Sequence, residues 1–168
     1  MSEVYDRASL SMSLADYAVT DQLGKLHVIG GGLQVLARDH RTGMTAAFAL
    51  VVSMTFSPDL FGEQYAFEVV LEQANGAPVR LGNQAPGSMS DLVRFGQSMT
   101  VEEPNLDSWG APRRAMPAHT QIVVYFNAGL PLPAGRPLLW RARIDGESKE
   151  IWTLPFFVPG PPATPVIG

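Results

Sequence analysis

Three histidines, His27, His40 and His119, are the side chains best suited to moving a proton near neutral pH. No two stand at the HxH or HxxxH spacing that brings two imidazoles to one metal, so no metal ligand is read from the sequence. His27 lies in a short apolar segment, and the segment before it carries Asp16, whose carboxylate a neighbouring strand would bring alongside. An Asp–His pair is two thirds of a nucleophilic triad, with Ser9, Ser11 and Ser13 as the hydroxyls closest in sequence. Those serines alternate with Leu10, Met12 and Leu14, which is the pattern of the solvent side of a strand. Asp16 and His27 are therefore expected to form a cross-strand polar pair, a second and polar candidate site. No catalytic residue is assigned.

Gly30-Gly31-Gly32 lacks both the Lys-Ser/Thr that follows a phosphate loop and the spacing of a dinucleotide fingerprint. A bulge or hairpin corner explains it, and no cofactor is implied. With no cysteine there is no thiol nucleophile and no disulfide framework. Glu102, Glu103 and Asp107 do not follow the ordered spacing of a calcium loop. They are followed by Trp109 and by Arg113-Arg114, and Trp109 sits between Ser108 and Gly110 where no strand pattern asks for an indole. Trp and Arg are enriched at binding hot spots, so Trp109, Arg113 and Arg114 form the first candidate binding site.

The elements that must position these residues are strands. From Met44 to Phe56 every even residue is apolar, which marks one long strand with its even face on a core. The alternation returns in Tyr65-Phe67-Val69-Leu71, with Gln64, Glu68 and Glu72 facing out. It returns again in Ile122-Val124-Phe126, in Leu138-Trp140-Ala142-Ile144 and in Trp152-Leu154-Phe156-Val158. Trp140 and Trp152 fall on the inward phase, as core residues and not sugar-stacking platforms. Asn75-Gly76 and Asp145-Gly146 supply the left-handed positions of tight turns. Sixteen Gly and fourteen Pro interrupt most helix-length windows. Strands with one apolar face each require a second sheet, so the expected fold is an all-β antiparallel sandwich, Ig-like or a related Greek key, of seven to nine strands. It spans residues 1–158 as one domain with a long loop near 82–118. A Pro-rich extended tail, 159–168, ends in Val166 and Ile167, an apolar pair expected to dock on a partner.

Twelve basic residues against sixteen acidic ones leave a net charge of −4 and no basic stripe, which argues against nucleic acid. The thirteen residues of the longest apolar run are too few to span a bilayer, for which about 20 are needed. The acidic opening, with Glu3 and Asp6, does not read as a signal peptide, so a cytoplasmic protein is expected.

Three stretches together resemble a family of small bacterial proteins, common in actinobacteria, whose domain has no assigned function. They are Leu14-Ala15-Asp16-Tyr17-Ala18 with Gly24-Lys25-Leu26-His27-Val28-Ile29-Gly30-Gly31-Gly32, then Tyr65-Ala66-Phe67-Glu68 through Asn75-Gly76-Ala77-Pro78-Val79, then Leu130-Pro131-Leu132-Pro133-Ala134-Gly135 through Trp140-Arg141 to Ile144-Asp145-Gly146-Glu147. Leu33 stands where that family often has Trp, and Pro104 to Arg114 looks like an insertion. The resemblance implies a β-sandwich and no catalytic residues. The leading functional expectation is a non-catalytic binding or accessory subunit of a larger complex, with a protein partner. The alternative is a binder of a small molecule or carbohydrate, or an enzyme acting on it. A third reading is a self-assembling structural protein, for which a homo-oligomer is expected.

Overall fold

The computed structural model describes residues 2–81 and 92–162; Val166 and Ile167 lie outside the described residues. Eight strands form two antiparallel four-stranded sheets. They are β1 (Ser9–Thr20), β2 (Leu26–Gly31), β3 (Phe48–Phe56), β4 (Gln64–Gln73), β5 (Arg94–Thr100), β6 (Ala118–Phe126), β7 (Arg136–Ile144) and β8 (Thr153–Val158). The first sheet runs β2-β1-β3-β6 and the second β5-β4-β7-β8, so the chain crosses between sheets after β3, β5 and β6. The expected all-β sandwich is what forms.

Between the sheets lie the residues that alternation assigns there. Phe48, Leu50, Val52, Met54 and Phe56 of β3 are buried, as are Leu138, Trp140, Ala142 and Ile144 of β7. Trp152 is fully buried just before β8. The odd face of β3 departs from expectation, because Ala49 and Val51 are buried as well. β1 pairs with β3 only as far as Ala15, and beyond it pairs with β2 alone. The β1–β2 hairpin then lies on the outer face of the first sheet, where Ala18 and Leu26 pack on Ala49, Val51 and Val123. Tyr17 meets Tyr125 edge-on at 5.2 Å on that same side. The glycine triplet ends β2 as a bulge: the N–H groups of Gly32 and Leu33 both donate to the Leu14 carbonyl, at 2.9 and 3.1 Å.

The region of 82–118 is divided by a strand, in keeping with the extended reading of Ser90 to Gln97. β5 occupies its middle, because Phe95 and Met99 alternate inward on a strand that pairs with β4 from Gln64↔Thr100 to Val70↔Arg94. Residues 82–91 fall outside the described residues, which leaves 101–117 as the irregular segment.

A short helix, α1 (Glu3–Arg7), precedes β1 and was not expected. The Ser2 hydroxyl caps it by accepting from the Tyr5 N–H, and Arg7 pairs with Glu3 and with Asp59. Its anchor is Lys149, whose Nζ donates to the carbonyls of Asp6 at 2.9 Å and Ala8 at 3.3 Å. The same ammonium lies 4.7 Å from the Trp152 ring centroid and 5.1 Å from that of Tyr5. A cation on the last carbonyls of a helix and against two rings holds that helix to the domain. Lys149→Ala is expected to cost about 1–2 kcal/mol. Hydrogen exchange should show the amides of Asp6 and Ala8 losing protection while the strands keep theirs.

Candidate functional site

The segment 101–117 is irregular yet tied at several points. Glu103 spans it: Oε1 accepts from the backbone N–H of Arg114 at 2.8 Å, and Oε2 from the Arg113 guanidinium at 3.4 Å. One carboxylate thereby closes a loop of about ten residues, because a charge-assisted bond to a backbone N–H is short and directional. Arg114, in the left-handed region at φ 57°, sends Nη2 to the Pro58 carbonyl at 2.8 Å and stacks over Phe61 at 5.8 Å. At the tip, Asn105 accepts from the Asp107 N–H, and a 3₁₀ turn over Asp107–Trp109 closes on Gly110 at φ 68°. That glycine position suits a residue without Cβ, which is why the turn can stop directly after the indole.

The result is an indole held out from a fastened base. Trp109 is 85% exposed, and Met116 on the same loop is also exposed. The structure brings Trp109, Arg113 and Arg114 together on one loop. It also gives the two arginines their partners, Glu103 and Pro58, so they build the loop on which Trp109 is presented.

Asp16 and His27 do not pair. The β1–β2 register sets Val19 against His27, which leaves Asp16 opposite Gly30. A Cβ at Gly30, whose φ is 63°, would collide with the Asp16 carboxylate. His27 instead places Nε2 3.1 Å from Oδ2 of Asp21, a residue of the hairpin turn. The correction follows from the turn being short, which fixes a register three residues away from the one an Asp16–His27 pair needs. Asp21 also accepts from the N–H groups of Leu23 and Lys25 through Oδ1, at 2.8 and 2.9 Å. The His27 hydrogen bond, with those backbone donors, holds the Asp21 carboxyl below its usual range. His119 engages Thr55 at 3.0 Å across the β3–β6 ladder, and His40 is exposed in the turn before Thr42. Among the described residues no group of three His, Asp or Glu side chains is placed to hold a metal ion.

The hairpin turn shares a cleft with Glu102, at the start of the irregular segment, and with β6. An open cleft of about 850 Å³ lies between Gly24, Lys25 and Leu26 on one wall and Glu102, His119 and Gln121 on the other. Sequence reasoning missed that the hairpin itself is an apolar surface. Tyr17, Val19, Leu23, Val28 and Ile29 are five of the eleven large apolar side chains exposed among the described residues. Alternation assigns such residues to opposite faces, and only the position of the hairpin outside the core leaves both of its faces without a full cover. No protein-family model matches the chain, and no curated protein matches its sequence. No helix among the described residues is long and apolar enough to cross a membrane.

Proposed function

We propose that the protein is a non-catalytic binding subunit that engages a protein partner through the Trp109 loop, as an accessory part of a larger complex. The observation that carries this reading is the 85% exposure of Trp109 on a loop whose backbone is held by Glu103, Arg114 and Gly110. An indole in water is costly to leave uncovered and cheap to bury when its loop needs no ordering. The filled interior, with Trp140 and Trp152 completely buried, speaks against a ligand held between the sheets. The absence of cysteine and the low charge content are consistent with a cytoplasmic setting and an uncharged contact surface. The likeness of three stretches to small actinobacterial sandwich proteins adds a bacterial setting to the proposal.

The test uses the full chain tagged at its N-terminus, with mass spectrometry of stoichiometric partners and a measured Kd for each. Trp109→Ala is expected to weaken capture by about 2 kcal/mol or more, roughly 30-fold in Kd. Trp109 also reports directly, since the other two tryptophans are buried. Its emission should be open to iodide quenching in the free protein and shielded in the complex. Equal affinity of the alanine variant for the partner sinks the reading.

A further inference from the structure

We infer that the groove centred on Glu102 and His119 binds a neutral, hydroxyl-rich ligand, a short oligosaccharide. This goes beyond the Trp109 loop and rests on other residues. Two clefts adjoin there, one of about 550 Å³ and the other the cleft of about 850 Å³ beside the hairpin, and both have Glu102, His119 and Thr120 in their walls. Each lies within the roughly 300–1,000 Å³ of small-molecule sites. Register explains why a groove exists at this place. β1 leaves the β3 ladder after Ala15, and the β1–β2 hairpin carries Lys25 and Leu26 over to the start of β6. On the other side β4 and β5 pair from Gln64↔Thr100, and the Val101 N–H donates to the Glu63 carbonyl at 2.9 Å, so the backbone next to Glu102 is fixed.

The walls are made of side chains that both give and take hydrogen bonds. Gln64, Gln97 and Thr100 stand on one side and Gln121 on the other, all exposed. A primary amide or a hydroxyl offers a donor and an acceptor, which is what a sugar hydroxyl offers in return. Gln64, Gln121 and Glu102 have no hydrogen bond or ion pair among the described residues. His119 is held through Nδ1, 3.0 Å from the Thr55 hydroxyl, so Nε2 is the nitrogen left for a ligand. Gln97 uses only Nε2, on the Met99 sulfur at 3.6 Å. Met99 and Leu26, one in each cleft, add half-buried apolar surface for the C–H faces of sugar rings.

The same walls select against other ligand classes. Lys25 is their only Lys or Arg, and Glu102 offsets its charge, whereas a phosphate-bearing ligand calls for arginine forks or several ammonium groups. An extended peptide would need a long open edge along which to add a strand. The groove instead runs across strands, bordered by β5 only over 97–100 and by β6 only over 119–121. Glu102 is also the only carboxylate of the walls. Glycoside hydrolysis canonically takes two, so the groove holds a sugar without cleaving it.

The test is a titration of the full, isotope-labelled chain, followed by its amide chemical shifts. The probes are neutral trisaccharides of glucose, mannose, galactose, xylose and N-acetylglucosamine, with inorganic phosphate and trialanine as controls. At least one sugar is expected to shift the amides of Thr100, Glu102, Thr120 and Gln121 and to saturate with a Kd of about 1 mM or tighter. His119→Ala and Gln121→Ala, both at exposed positions, should each weaken that sugar about tenfold, as the loss of one hydrogen bond to a ligand does. Trp109→Ala should leave the sugar's Kd unchanged, which separates this site from the protein-partner reading. A panel in which no sugar shifts these amides overturns the proposal. So do shifts that saturate at residues outside the groove, phosphate or trialanine binding as tightly as the sugars, or His119→Ala and Gln121→Ala variants that keep full affinity.

Discussion

Trp140→Ala is expected to lower the unfolding free energy by about 3–5 kcal/mol. The indole is completely buried on β7, between Leu71 of β4 and Leu154 of β8 in the ladder. It also ties the sheets together: Trp140 stacks on Phe126 of β6 at 5.9 Å, and Phe126 stacks on Phe48 of β3 at 4.7 Å. Two hydrogen-bonded sheets cannot collapse into the space an indole leaves, so the cavity term persists on top of the lost burial. The Trp140 N–H has no acceptor among the described residues, so the side chain contributes volume and ring contact without a hydrogen bond. Trp140→Phe should accordingly cost less than half as much as Trp140→Ala. Urea titration checks both, with the midpoint falling and the m-value unchanged. Equal losses for Phe and Ala would show that the ring stack contributes nothing.

The second large effect lies on the outer face of the sheet that carries Trp140. Glu72 is 2% exposed although the strand pattern points it away from the core. Arg141 Nε reaches its Oε2 at 2.8 Å and Arg143 Nη2 its Oε1 at 2.9 Å. Arg143 continues to Glu68, which also meets Arg94 on β5, so acids and bases alternate across three strands. Arg141→Ala leaves a buried carboxylate with one partner and is expected to cost about 3 kcal/mol, at the lower end for a broken buried pair because the arginines are about 30% exposed. Glu72→Met removes the buried charge and leaves guanidinium groups that reach water, so its cost should stay near about 1 kcal/mol. Thermal or urea unfolding of the two variants measures the asymmetry. A Glu72→Met loss as large as that of Arg141→Ala would refute it.

Both effects were half-legible in the sequence. Alternation puts Trp140 inward, but the Phe48–Phe126–Trp140 stack requires β6 beside β3 and β7 across from it, and nothing local specifies strand neighbours. Glu68, Glu72, Arg141 and Arg143 read as outward polar residues; the β4–β7 register makes them a ladder by setting Glu68 against Arg143 and Val70 against Arg141. The Trp109 loop was visible because an indole interrupted a polar, Gly- and Pro-rich stretch. What held that loop was not, since Glu103 reaches Arg114 eleven residues away and Arg114 reaches Pro58. The Asp16–His27 pairing failed for the same kind of reason, a register fixed by Asp21 in the turn.

The sequence by itself determined which residues face inward along each strand, where the chain turns, and that two sheets must cover one another. Side-chain alternation and glycine torsions are properties of a few adjacent residues, so they can be read without neighbours. Only the tertiary structure decided which strands pair, which strands stand at the sheet edges, and which charges become buried. Those outcomes depend on contacts between residues tens of positions apart, and a single residue's shift in register exchanges the two faces of a strand.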